Sequence, residues 1–121
     1  MITLLDDLSE PDRLGLFRNE NYIVHRWEKA GACVYFSSTR QDLALAIHIA
    51  ADKSGKRRLR EAVSDYIEAS FREYDWCEVI LGAVVPASVV NLAKNCGFVH
   101  IGDALIGPHN EQGKIMARFR S

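Results

Sequence analysis

Leu43–Arg60, LALAIHIAADKSGKRRLR, runs from an apolar strand straight into a basic turn. In its first half, Leu43, Leu45, Ile47 and Ile49 share one face, and Ala44, Ala46 and His48 share the other. A strand apolar on both faces belongs in the middle of a sheet covered on both sides. The second half, Asp52–Arg60, sets five basic side chains (Lys53, Lys56, Arg57, Arg58, Arg60) against one acid, Asp52. Leu59, Ala62, Val63, Tyr66, Ile67, Ser70 and Phe71 follow helical spacing and predict a helix over Lys56–Tyr74. A helix N-terminus already carries partial positive charge and unpaired N–H groups, so cations stacked there are locally unfavourable. A bound anion such as a phosphate relieves this. A solvated basic turn is the alternative.

Upstream, Ala32–Ser37 reads as a strand and Ser38–Asp42 as a polar turn, which makes a hairpin with the strand at Leu43–Ala50. Leu14, Phe17, Ile23, Val24 and Trp27 suggest one or two helices over Leu14–Ala30, with Gly31 as the stop. Ser9-Glu10-Pro11-Asp12 resembles a helix start, and Met1–Leu5 a short strand. Downstream, Cys77–Val85 is an apolar strand ended by Pro86. A short helix from Ala87 or Ser88 to Asn95 follows, with Gly97 beyond it. Phe98–Ile106 and Lys114–Phe119 read as final strands joined by a turn-rich GPHNEQG segment. The expected order is helix, hairpin, helix, strand, helix, two strands. This is an α/β (α+β) sheet with helices on its faces, as a single domain over residues 1–121.

The 121 residues are 48% hydrophobic and 26% charged, with a net charge of −1, which is the balance of a soluble globular chain. Positive charge is concentrated locally at 53–60, so an anionic partner is expected to be small or locally bound. The basic stretch has no interleaved aromatics, which argues against nucleic acid. No apolar run is long enough to span a bilayer, and MITLLDDLSE carries no secretory signal. Cys33, Cys77 and Cys96 form no CxxC pair, and His25, His48, His100 and His109 have no metal-ligand spacing. A reducing, cytoplasmic setting without a metal is the expectation.

From about Ala32 onward the element order and the local motifs resemble the GNAT family, the GCN5-related N-acyltransferases. In that family a strand leads into a loop and helix whose N–H groups hold the pyrophosphate of acetyl-CoA. Ile47-His48-Ile49 followed by Ala50–Arg58 takes that place here. The resemblance implies acetyl-CoA as cofactor, held by Ile49, Ala50, Ser54, Gly55, Lys56, Arg57 and Arg58. Ser54 stands where the family often has Arg, and Arg57 and Arg58 occupy the region of a second glycine. Arginine can still contact phosphate through charge-assisted hydrogen bonds. Pro86–Phe98, PASVVNLAKNCGF, resembles the family helix that ends in Gly-Phe. Pro86 replaces a common Asn, and Ala93 stands where many members carry a general-acid Tyr. Ala-Ile-His-Ile-Ala (46–50), then Gly55-Lys56 and a helix through Phe71, also resembles GNAT-like proteins of tailed phages, some of them head-assembly or virion proteins. The N-terminal part is short and divergent by this comparison.

The implied activity is acetyl transfer from acetyl-CoA to an amine. Such a reaction needs a base for the amine, a donor to the carbonyl oxygen and a proton for the thiolate. The backbone N–H of Ile49 or Ala50 would polarise the carbonyl. His48 is the candidate base, as the one polar residue on a small-residue strand face, with an ordinary pKa of about 6.5. A buried histidine hydrogen-bonded for structure is its alternative. Glu78 opens the next strand and could act as base or orient an amine. Otherwise it is a solvated strand-end carboxylate. Tyr35, Tyr66 and Tyr74 could be acids, and nothing in the sequence selects among them. The reading from a different class is an inactive phage assembly protein, with an apolar patch for a virion partner and a filled cofactor slot. Pairing into a homodimer through the last strand as a sheet edge is expected by analogy.

Overall fold

A computed structural model gives the architecture, and the structure describes residues 1–84 and 87–121. The elements in chain order are β1 (Ile2–Leu4), α1 (Ser9–Arg13), β2 (Ile23–Lys29), β3 (Ala32–Gln41), β4 (Ala44–Ala51), α2 (Lys53–Lys56), α3 (Leu59–Glu73), β5 (Val79–Val84), α4 (Ala87–Asn95), β6 (Val99–Ile106) and β7 (Glu111–Phe119). Seven strands form one sheet in the order β1-β2-β3-β4-β5-β7-β6. All neighbours are antiparallel except β4 and β5. The fold is therefore the expected α+β class, a mostly antiparallel sheet flanked by helices. As its two-sided apolar pattern required, β4 is the middle strand.

The two faces of the sheet are covered differently. Val34, Phe36, Leu45 and Ile47 pack with Val63, Tyr66 and Ile67 of α3 and Val90 and Ala93 of α4 in the main core. A smaller cluster of Leu16, Val24 and Tyr35 lies on the opposite face under α1 and the loop that follows it. Trp27 is fully buried and donates its indole N–H to Asp65 at 2.8 Å, which ties β2 to α3. No helix among the described residues is long and apolar enough to cross a membrane.

Several boundaries differ from the sequence expectation. Over 14–30 there is no long helix: α1 ends at Arg13, and Ile23–Lys29 is a strand in register with β3 from Ile23–Ser38 to Lys29–Ala32. Ile23, Val24 and Trp27 fit helical spacing, but the β-branched pair favours a strand and ladders on both sides decide the matter. Gly31 is not a helix stop. Ala30 and Gly31 have φ of 52° and 80° and form a two-residue hairpin turn between Lys29 and Ala32. The Ser38–Asp42 turn is also shorter than expected, because β3 pairs through Gln41 and the chain reverses at Asp42, φ 60°.

The helix expected over Lys56–Tyr74 is two elements. Asp52 caps the single turn α2 by accepting the Gly55 N–H at 2.6 Å, and α3 starts only at Leu59. Glu61 sits in the first turn of α3 and pairs with Lys29 and with Arg58. Acids thus stand at both helix starts, and the excess of cations is smaller than the sequence suggested. The strand expected over Cys77–Val85 runs from Val79 to Val84, and the role given to Pro86 lies outside the described residues. Gly97 does follow α4, with φ 86° and the Phe98 N–H returning to the Ala93 carbonyl at 3.0 Å. The last strand is not an edge: β7 inserts between β5 and β6, and β1 and β6 form the edges.

Candidate active site

The centre of the site is the point where β4 and β5 part. They pair only over Ala44–Val79, Leu45–Ile80 and Ala46–Leu81. Beyond that β4 stays with β3 to Ala51, while Gly82–Val84 of β5 stay with β7. The parting opens a slot of about 380 Å³, lined on the strands by Ile47, His48, Ile49, Gly82, Ala83 and Val84. Val63 of α3 and Leu92 and Ala93 of α4 close one side; Gly15 and Phe17 reach it from the other face of the sheet.

Backbone direction distinguishes Ile49 from Ala50. The Leu43 carbonyl accepts the Glu78 N–H at 2.9 Å, so Leu43 directs its peptide groups toward β5. Alternate residues of a strand point their N–H and C=O the same way. The pairing of β4 with β3 is unbroken from Ala44 to Ala51, so the alternation carries through to Ile47 and Ile49. Ile49 therefore presents its N–H to the opening, and Ala50 turns its own toward Tyr35 on β3.

His48 lies across from Ser37 of β3, half-buried, and lines the slot. Its ring stands 4.6 Å from Phe17 and 5.6 Å from Tyr22. Burial holds its pKa below the ordinary 6.5, so the ring is neutral near pH 7. Phe17 and Tyr22 are the aromatic rings beside it. Among the described residues it is the one titratable side chain lining the slot.

Glu78 is not brought to this point. It is exposed at the start of β5, four residues before Gly82, which is about 13 Å along a strand. The three tyrosines left open by the sequence also lie off the slot lining. Tyr66 stacks on Phe36 at 4.1 Å and donates to Ser38 at 3.0 Å in the core, where burial pushes its pKa up to about 12. Tyr74 stacks on Trp76, and Tyr35 belongs to the small cluster under α1. Ala93 does line the slot, at the position where the family resemblance places a tyrosine.

The basic stretch borders a separate cleft of about 810 Å³, walled by Ser54, Arg57, Arg58, Arg60, Glu61 and Ser64 with the β2–β3 turn opposite. The start of α3 is the shared wall: Val63 faces the slot, and Arg60 and Ser64 face the cleft. Not every N–H of the loop is free. Gly55 gives its own to Asp52; Lys56, Arg57 and Arg58 donate to the carbonyls of Asp52, Ser54 and Gly55. The first donors of α3, from Leu59 to Glu61, are those a helix start leaves unpaired. Gly55 is buried against β3, where a Cβ would lie 2.0 Å from the Cys33 carbonyl oxygen. A third groove, of about 690 Å³ between the β1–β2 edge and α3, is lined by Tyr66 and Tyr74 but by none of the residues expected to act as base or to hold the cofactor.

Phe17, Tyr22 and Gly15 were not legible as site residues, because the segment carrying them read as helix. The signal available was Gly15 and the polar stretch Arg18–Asn21, which interrupt any clean helical face between Pro11 and Ile23.

This splayed sheet, with a helix after the middle strand, is a GNAT-like fold. One structure of the spermidine N-acetyltransferase of Vibrio cholerae matches with a TM-score of 0.82 and 15% identity, over 98% of this chain and 92% of that one. The dodecameric structure of that enzyme in an intermediate state matches with a TM-score of 0.79 at 15% identity, over 98% and 92% of the two chains. A Bacillus subtilis acetyltransferase in complex with CoA matches with a TM-score of 0.77 at 11% identity, over 99% and 98%. At these identities the likeness is one of fold. No protein-family model and no curated protein sequence matches the chain.

Proposed function

We propose that this chain is an acyl-CoA-dependent N-acyltransferase that moves an acetyl group from acetyl-CoA to an amine. The observation that carries the reading is the opening between β4 and β5, with the Ile49 N–H and a neutral His48 at the same point. Small residues at Gly82 and Ala83 leave room for a pantetheine arm, and a Cβ at Gly82 would meet nothing within 4 Å. Arg57, Arg58 and Arg60, with the free donors opening α3, would hold the phosphates. Lys56 and Ser54 stand beside them. Gly55 and Ala50 serve by shaping the backbone.

The thioester supplies the acetyl group. The amine nitrogen forms the new C–N bond, the C–S bond breaks, and the electron pair leaves on the thiolate. His48 takes the proton that the amine loses and returns it through solvent to the thiolate. The Ile49 N–H stabilises the charge on the carbonyl oxygen. Glu78 has no part in these steps. Three free cysteines, Cys33, Cys77 and Cys96, suit a reducing cytoplasm. Calorimetry at low salt with acetyl-CoA, desulfo-CoA and ATP tests the reading. Micromolar binding that requires the pantetheine arm supports it, and no binding refutes it.

A second reading has one observation in its favour. The edge strand β6 and the end of β7 expose Val99 and Phe119 on the same face of the sheet, an apolar patch suited to a protein partner. A non-catalytic GNAT-like assembly protein of a tailed phage would use such a patch, as would a homodimer. The slot is open rather than filled by bulky side chains, which favours the enzyme. Turnover of any amine would set the non-catalytic reading aside.

A further inference from the structure

The acceptor side of the slot has a composition that the acetyl donor does not explain. The loop between α1 and β2 lies across β3 and β4 and is pinned at two points. Ser37 donates its hydroxyl to the Phe17 carbonyl, and Thr39 donates to the Asn21 carbonyl at 3.3 Å. Both anchors come from one face of β3, two residues apart. At and just beyond these anchors the loop sets Phe17 and Tyr22 edge to face at 5.8 Å, and both rings reach His48. Phe17 is 57% exposed although it lines the slot, so a large apolar ring stands at the mouth with one side uncovered.

Charge at the mouth is as informative as shape. No Asp or Glu is among the described residues lining the slot. Of the acids close in sequence, Asp12 is held by Arg18 in two hydrogen bonds of 2.9 and 2.8 Å, and Glu20, in the loop itself, is exposed and does not line the slot. A polyamine acetylated at one end keeps further ammonium groups that need carboxylates, since an unpaired charge near an apolar wall is costly. An amine carrying an aromatic ring has a single charge and loses it on reaction. Its ring can stack on the open side of Phe17 while its nitrogen meets His48.

We infer that the acceptor is an aromatic primary amine of the arylalkylamine class, selected by the Phe17–Tyr22–His48 wall, and not a polyamine. The inference rests on the acyl-transfer reading and adds the substrate class. Thiol release from acetyl-CoA is to be followed with 2-phenylethylamine, n-butylamine and spermidine, for the wild-type chain and for Phe17→Ala. The expected result is a kcat/KM for 2-phenylethylamine about tenfold or more above either competitor. In Phe17→Ala the ratio of phenylethylamine to butylamine should fall to about one. Preference for spermidine, or an unchanged ratio in the variant, overturns the inference while leaving acyl transfer standing. If no amine turns over, saturation-transfer NMR with 2-phenylethylamine decides the matter. Binding lost in Phe17→Ala upholds the aromatic wall, and absence of binding to the wild type refutes it. Acetyl-CoA calorimetry on the same sample reports separately on the acyl-transfer reading.

Discussion

Gly55 and Cys33 meet backbone to backbone, with so little space that a Cβ on Gly55 would lie 2.0 Å from the Cys33 carbonyl oxygen and 2.9 Å from its carbon. Neither atom belongs to a flexible side chain. Gly55→Ala must push α2 off β3 and strain the Asp52 cap. A loss of about 2 kcal/mol or more is expected, in the range of overpacked cores. Urea unfolding measures it. If the glycine served only to admit a phosphate, the unfolding midpoint would not move.

The basic residues should behave in the opposite way. Lys56 and Arg57 are exposed, and Arg58 is half-buried with Glu61 as its partner. Replacing all three by alanine should leave the fold intact and weaken acetyl-CoA binding about tenfold or more, as lost charge-assisted contacts do. Calorimetry with a circular-dichroism control separates the two effects. Unchanged affinity would move the phosphates away from this cleft.

The periodicity of Leu43–Ala50 was enough to place β4 at the centre of the sheet, and the apolar spacing of Leu59–Phe71 was enough to find α3. The slot was legible only as an analogy, because the parting of β4 from β5 is set by which strand β7 chooses as neighbour. Pairing order is a non-local property with no signature within one strand. The segment from Leu14 to Lys29 misled for a related reason. Ile23, Val24 and Trp27 satisfy a helical spacing, and only the ladders to β1 and β3 settle them as strand. His48 could be singled out from its strand face. The aromatic partners that define its surroundings come from the loop whose course depended on that mistaken helix.

Burial holds both His25 and His48 below the ordinary 6.5. The unfolded chain therefore takes up protons near pH 6.5 that the folded chain resists. The stability these sites contribute is complete above that pH and falls on acidification from 6.5 toward their lowered values. Thermal midpoints should drop between pH 7 and pH 5, and His48→Gln should reduce the slope. Glu61 and Asp12, whose pKa values are lowered by hydrogen bonds to Lys29 and Arg18 respectively, act only below the carboxylate range and leave this window clear. In the acyltransferase reading the acid limb of kcat/KM lies below pH 6.5, and it disappears in His48→Gln. A limb that survives the substitution would remove His48 as the base.

Tyr66 donates to Ser38 where both residues are buried. Tyr66→Phe leaves the Ser38 hydroxyl without that donor and should cost about 1 kcal/mol. Acetyl-CoA affinity and turnover should not change, since the phenol is absent from the slot lining. A fall in turnover without a fall in stability would give this phenol a chemical role.

Ala93 lines the slot from α4. Ala93→Tyr would introduce a proton donor for the departing thiolate, and general acids contribute about a hundredfold or more where well placed. Partial placement should still raise kcat about tenfold. A variant that folds, binds acetyl-CoA and turns over no faster would mean that proton delivery does not limit the reaction.

Three residue pairs carry the ladder between the first four strands and the last three. Mechanically, the sheet is two plates joined by a short hinge at Ala44–Ala46 and Val79–Leu81. Above that hinge the plates are kept at their spacing by side chains of the main core, among them Ile47, Val63 and Met116, which line the slot. The gap width is thus an elastic quantity set by packing volume. One methyl group gained or lost in that wedge would change how far the plates stand apart, without touching any group that does chemistry.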